Sequence, residues 1–395
     1  MGAPCRLIVQ SDWDQVLRDN EGKAWVTWCR QGQQKIHSEI HTEGLSTSGQ
    51  PYVTASDNFN VECITKKTLT LSYTDVMSCY RCNFQAPNIT FNTVHRPKKS
   101  VICVDATSGD LAVSSDTEGK LRVWQTDTGE VRRDLTGHLG DVYTCRFFPS
   151  GLVVLSGGAD MQLKIWSVEN GQCAATLRGH TQGITDTAIV EKGRNIISCS
   201  RDGTAKLWDC GHSACLGTVS DLGGVVNGCA LGEPDNRIEL GVPVEQPSER
   251  EVLTEGKMLL LAVENGTLQG FGLHSRSKIF EYKCTDAVNC CNFLSTTTVV
   301  CGTQDSTLNL LDLRNTSTPI KCWKEQRGAV LSLLPHKQGF FCSTGDGSCF
   351  YVDEQLSTNL ELTGSDCDPI YKIALDSTNL LTACRDGSVR KYKLG

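Results

Sequence analysis

The chain has 395 residues, 39% of them hydrophobic and 21% charged, and a formal net charge of −7. That length exceeds one ordinary domain and suits a large domain with an appendage. Its basic clusters are short, Lys66-Lys67 and Arg96-Pro97-Lys98-Lys99 among them, which argues against a nucleic-acid binder, since that needs a basic stripe.

The opening "MGAPCRLIVQSDW" has no signal-peptide core, and Arg6 stands where a myristoylation signal wants Ser or Thr. No apolar run nears the roughly 18 residues of a membrane span. We therefore expect a monomer of the cytoplasm or nucleus that contacts neither membrane nor nucleic acid. The 21 cysteines then read as free thiols. Those in strand-like runs (Cys103, Cys145, Cys199, Cys301, Cys342 and Cys384) read as small buried hydrophobes.

Residues 1–87 form a small β-rich domain with one short helix. Ser11 and Asp14 hold capping-box positions, and Trp13, Val16 and Leu17 share a helical face. Strand-like runs follow: "AWVTWC", "KIHSEIHT", "PYVTA", "NFNVECI" and "TLTLS". "CYRC" (Cys79, Cys82) has metal-ligand spacing, but no second pair completes a four-ligand site, so we expect no metal and no cofactor.

From residue 88 onward the chain repeats itself. "VSSDTEGKLRVW", "LSGGADMQLKIW" and "SCSRDGTAKLWD" place Trp124, Trp166 and Trp208 at intervals of 42. Weaker copies centre on Asn265, Asp305, Asp346 and Asp386, so the seven centres lie 42, 42, 63, 40, 41 and 40 apart. A period of about 40–45 with G-H and W-D signatures reads as one four-stranded propeller blade per repeat. The fold expected is all-β: a seven-bladed WD40 propeller over 88–395 behind the N-terminal domain.

Two features depart from that period. The last repeat supplies only three strands, so "ITFNTV" (89–94) is the candidate fourth, closing the ring and covering an edge. The long interval holds an insertion at about 233–257, rich in Pro, Glu and Ser, which reads as a mobile surface loop.

Ser, His and Asp occur together in each clear repeat, as in a hydrolase triad. A catalytic site needs one such set joined to one oxyanion hole, and recurrence from blade to blade points to fold-building instead. No P-loop, G-x-S-x-G or H-E-x-x-H motif is present. The reading is a non-catalytic binding scaffold.

These motifs resemble those of WD-repeat proteins, and the resemblance implies hydrogen-bonded tetrads at His138, Ser156, Asp160, Trp166 and at His180, Ser198, Asp202, Trp208. In the first blade His95 and Ser114 are candidates, with Glu118 at the Asp position. "QSDWDQVLR", "GHLGDVYTCRFFPSGLVVLSGGADMQLKIW", "PSEREV" and "TGSDCDPIYKIA" further resemble the proteasomal ATPase-associated factors. That resemblance implies an assembly chaperone of the proteasome regulatory particle. Such a protein holds the C-terminal domains of base ATPase subunits and restrains docking on the core particle.

Residues 96–395 carry 30 basic and 36 acidic residues, a net of −6, and an acidic face would steer a basic partner. Blade-connecting loops offer Asp141, Asp286, Asp366 and Asp368. Arg201 and Arg385 precede repeat-centre Asp residues at exposed turn positions. An alternative is a substrate receptor of a cullin ubiquitin ligase, for which "LLDLR" (310–314) is a degenerate signature. A metal-dependent enzyme built on Cys79, Cys82 and His95 is a weaker third reading.

Overall fold

The computed structural model describes residues 5–394, apart from 20, 31, 48, 76, 77, 245 and 325. Among these residues, seven antiparallel four-strand units follow one another along the chain. Their innermost strands are Val101–Ala106, Val142–Phe147, Ile184–Val190, Val226–Gly232, Val288–Phe293, Val330–His336 and Ile370–Leu375. Each packs against the next, and the last packs against the first. The ring is a β-propeller, and its sheets are numbered here as blades 1 to 7 in that order.

Burial explains the strand sequences. Second strands such as Asn195–Ser200 and Met258–Val263 are buried along their whole length. Neighbouring blades cover both faces, so "MLLLAV" is a continuous apolar run rather than an alternating one. Outer strands such as Cys173–Arg178 are mostly exposed. The six cysteines read as buried hydrophobes are all buried free thiols.

Ile89–Phe91 pairs antiparallel with Val389–Lys393 and gives blade 7 its fourth strand. Phe91 then packs on Trp124 of blade 1, with ring centroids 4.8 Å apart. Val94, Trp124, Leu381 and Val389 share that core. The seam between first and last blades is therefore apolar as well as hydrogen-bonded.

The N-terminal residues build two sheets over their own core, which runs from Leu7 to Ala86. One sheet comprises Cys5–Val9, Lys23–Arg30, Ile36–Leu45 and Pro51–Ala55; the other comprises Phe59–Ile64, Thr68–Asp75 and Ser78–Gln85. Trp28 stacks on Tyr73 between them at 4.8 Å. Sequence reasoning missed the strands Cys5–Val9 and Ser78–Gln85. The second matters most, because it pairs in parallel with Thr358–Leu362, the outer strand of blade 6. Blade 6 thus continues into a seven-stranded sheet, and its edge is covered.

Two local expectations are corrected. The helix is a single turn, Trp13–Val16, with Asp12 at its N-cap and no side-chain capping bond. Asp14 does not close a capping box; it is buried and accepts from Lys67 Nζ at 2.8 Å. A buried carboxylate gains more from a cation than from a frayed backbone amide. The insertion is docked rather than loose. Asn195 of blade 3 accepts from Val252 N–H at 2.6 Å and donates to the Arg250 carbonyl at 3.2 Å. Lys257 reaches Glu191 and Glu233, each at 2.5 Å. Composition alone undercounted these partners because Asn195 and Glu191 come from the neighbouring blade 3.

Candidate interaction face

The tetrads sit where loops enter the innermost strands. In blade 2 His138 Nδ1 lies 2.9 Å from Asp160 Oδ2 and His138 Nε2 lies 2.7 Å from Ser156 Oγ, which accepts from Trp166 Nε1 at 2.8 Å. In blade 3 His180, Asp202, Ser198 and Trp208 repeat this at 2.8, 2.7 and 2.8 Å. The glycine of each G-H pair has a physical cause. A Cβ at Gly137 would meet the Trp166 indole at 3.2 Å, and one at Gly179 would meet Trp208 at 3.1 Å.

Proton inventory fixes the direction of each chain of bonds. Trp Nε1–H can only donate, so Ser Oγ accepts from it and donates to His Nε2, leaving Nδ1–H for the carboxylate. A neutral imidazole satisfies this arrangement. Burial lowers the pKa of His138 and His180, against the opposing pull of Asp160 and Asp202. Burial alone would raise Asp202. Hydrogen bonds from Thr204, the Thr181 N–H and His180 outweigh it and hold this carboxyl at about 2.

Blade 1 also has a complete tetrad, with a different acid. His95 Nδ1 lies 2.9 Å from Asp116 Oδ2, and Ser114 Oγ lies 2.7 Å from His95 Nε2 and 2.9 Å from Trp124 Nε1. Glu118 is not a member; it faces Lys99 at 3.0 Å and Arg96 at 3.4 Å. The turn here is longer. Asp116 closes it by accepting from the N–H groups of Glu118 and Lys120 at 2.9 and 3.0 Å. The register of the hairpin, not the repeat spacing, selects the acid.

The later blades lack the histidine and use substitutes. Asp305 of blade 5 takes Thr285, Thr303 and Lys324. Asp346 of blade 6 accepts from Arg6 of the N-terminal domain at 3.0 Å. Arg6 also donates to Glu361 at 2.8 Å and Ser348 at 2.5 Å, while Arg327 reaches Glu361 at 2.7 Å. Trp13 Nε1 adds a buried bond to Thr363 at 3.1 Å. These contacts lock the N-terminal domain to blade 6.

The six candidate partner residues lie at the same end of the ring. Asp141, Asp286, Asp366 and Asp368 stand in loops leading into innermost strands of blades 2, 5 and 7; Arg201 and Arg385 stand in turns after second strands. Asp286, Asp366, Arg201 and Arg385 are exposed, and Asp141 and Asp368 are half-buried. Two of the six neutralise each other, because Arg385 Nε pairs with Asp368 at 2.9 Å. The Arg201 guanidinium lies 5.0 Å from the Tyr143 ring centroid. Three aspartates against Arg201 leave these six positions net acidic.

The metal reading fails on geometry. Cys79 and Cys82 are three residues apart on one strand, so they face opposite sides; Cys79 is exposed and Cys82 buried. His95 is committed to Ser114 and Asp116. In "LLDLR", Arg314 folds back on Asp312 at 2.5 Å.

Comparison with known proteins agrees with the repeat pattern. The WD40 family, described as "WD domain, G-beta repeat", matches residues 129–167 and 171–209. A protein of Gallus gallus named "Proteasomal ATPase-associated factor 1" is 54% identical over 394 residues, covering 98% of each chain. Its Homo sapiens namesake is 54% identical over 395 residues, covering 100% of this chain and 99% of the relative. The chain belongs to the proteasomal ATPase-associated factor 1 family. A Dictyostelium discoideum protein named as a probable member is 32% identical over 97% of this chain. In this family member, the fold and the net charge of these six positions can be read together.

Proposed function

We propose that the chain is a non-catalytic scaffold that binds ATPase subunits of the proteasome regulatory particle. In this reading the rim engages the small C-terminal domain of such a subunit. The chain acts as an assembly chaperone in the cytoplasm and nucleus and restrains premature association with the core particle. The family membership carries the choice of partner. The net negative charge of the six positions at the tetrad end supplies the means of attraction.

Association kinetics between the purified chain and individual ATPase C-terminal domains test the reading. Asp286→Lys with Asp366→Lys should slow association about tenfold with little effect on dissociation, since rim charges act on encounter. Raising salt should mimic the variant, because exposed charges are screened beyond about 8–10 Å. Salt-independent binding, identical in the variant, would move the interface off this rim. Binding to a cullin adaptor and to no ATPase domain would replace the reading with that of a ligase receptor.

A further inference from the structure

The axis of the propeller encloses a cavity of about 220 Å³ walled by innermost strands. The wall is charged and polar. Arg146 and Lys372 face it, and Asp186 is the one carboxylate among the described lining residues. Two cations against one anion leave an excess positive charge in a confined space. Asp105 is not among the lining residues; it accepts the Phe147 N–H at 2.7 Å, and burial raises its pKa against the opposing pull of Arg146 and Lys372.

The hydrogen bonds are as unbalanced as the charges. Asp186 accepts from Arg146 at 3.2 Å, from the N–H groups of Thr187 and Cys229 at 2.9 and 3.2 Å, and from Thr144 at 3.4 Å. Its oxygens are occupied. The Lys372 ammonium feels Asp186 but makes no hydrogen bond among the described residues. Arg146 keeps 35% of its side-chain surface open. Tyr143 and Tyr371 line the same wall. A half-buried cation without a protein acceptor turns to water or to a ligand for one.

We propose that the cavity at the propeller axis is a binding site for a small oxyanion such as inorganic phosphate, held by Lys372 and Arg146. The volume admits one such ion, and two cationic donors match its charge and acceptor oxygens. A site at the ring's centre touches several blades at once, so occupancy would stabilise the closed ring by mass action.

The test uses the full chain. Isothermal titration with inorganic phosphate should show one site per molecule, weakened at least tenfold in Lys372→Met and retained in Lys372→Arg. Melting in phosphate and in chloride at equal ionic strength should separate for the wild type and converge for Lys372→Met. The comparison is needed because phosphate strengthens burial in proteins generally. An equal phosphate effect in wild type and Lys372→Met, or no binding to the wild type at millimolar phosphate, would overturn the proposal. If Lys372→Met fails to fold, the Lys372→Arg titration decides, and loss of binding there counts against the site.

Discussion

Replacing Arg6 by Met tests whether the N-terminal domain is part of the ring's architecture. The substitution keeps length and apolar stem but removes three contacts: Asp346 at 3.0 Å, Glu361 at 2.8 Å and Ser348 at 2.5 Å. The side chain of Glu361 is only 8% exposed, so its loss is that of a buried pair, for which removing one partner costs about 3–5 kcal/mol. Two features pull the figure to the low end. Arg327 still holds Glu361 at 2.7 Å. Asp346 is 33% exposed, so that half of the network counts at the surface value of about 1 kcal/mol or less. We expect a loss of about 3 kcal/mol, equivalent to a Tm drop of roughly 4 °C for 395 residues at about 2.1 cal/mol/K of unfolding entropy each. Calorimetry should record it, and limited proteolysis should show faster cleavage in the segment between the N-terminal core and blade 1. Arg6→Lys should fall between, because an ammonium cannot reproduce the guanidinium fork. Deleting residues 1–85 should destabilise at least as much, since it also bares the Thr358–Leu362 edge. An Arg6→Met protein with wild-type melting and wild-type protease resistance would refute the lock.

Trp208→Ala removes an indole that is 1% exposed and its bond to Ser198; calorimetry should show a loss of about 3–5 kcal/mol. That variant should lose stability before it loses partner choice, and wild-type melting with a lost activity would contradict the structural role of the tetrad. Stability should also depend on pH. Burial depresses the folded-state pKa of His138 and His180 below the ordinary 6.5, so the unfolded chain binds the extra protons. Their contribution is present above about pH 6.5 and lost as pH falls through the depressed values. A further loss should come between pH 3.8 and about 2, as Asp202 protonates. Melting curves that are flat or rise as pH drops from 7.5 to 5.5 would contradict neutral, buried imidazoles.

Much of the ring could be read locally. Short apolar runs, turn residues and a recurrent Trp are properties of adjacent residues, so the 42-residue interval and the residues of the second and third tetrads stood out in the sequence. Asp116 did not, because spacing measures chain distance and the shape of one hairpin decided which carboxylate met His95. The charged axis gave only a weak signal: single charges at Arg146, Asp186 and Lys372 within otherwise uncharged innermost strands.

Arg6 shows the limit most clearly. In the sequence it was only a residue that spoils a lipidation signal, and its partner Asp346 stands 340 residues away. The linear sequence by itself determined the blades, since strands and turns are set by short apolar runs and local backbone preference. Only the tertiary structure decided which charges meet. The parallel pairing of Ser78–Gln85 with Thr358–Leu362 brings the two ends of the chain together. Burial there makes an unpaired carboxylate too costly to leave without its arginine.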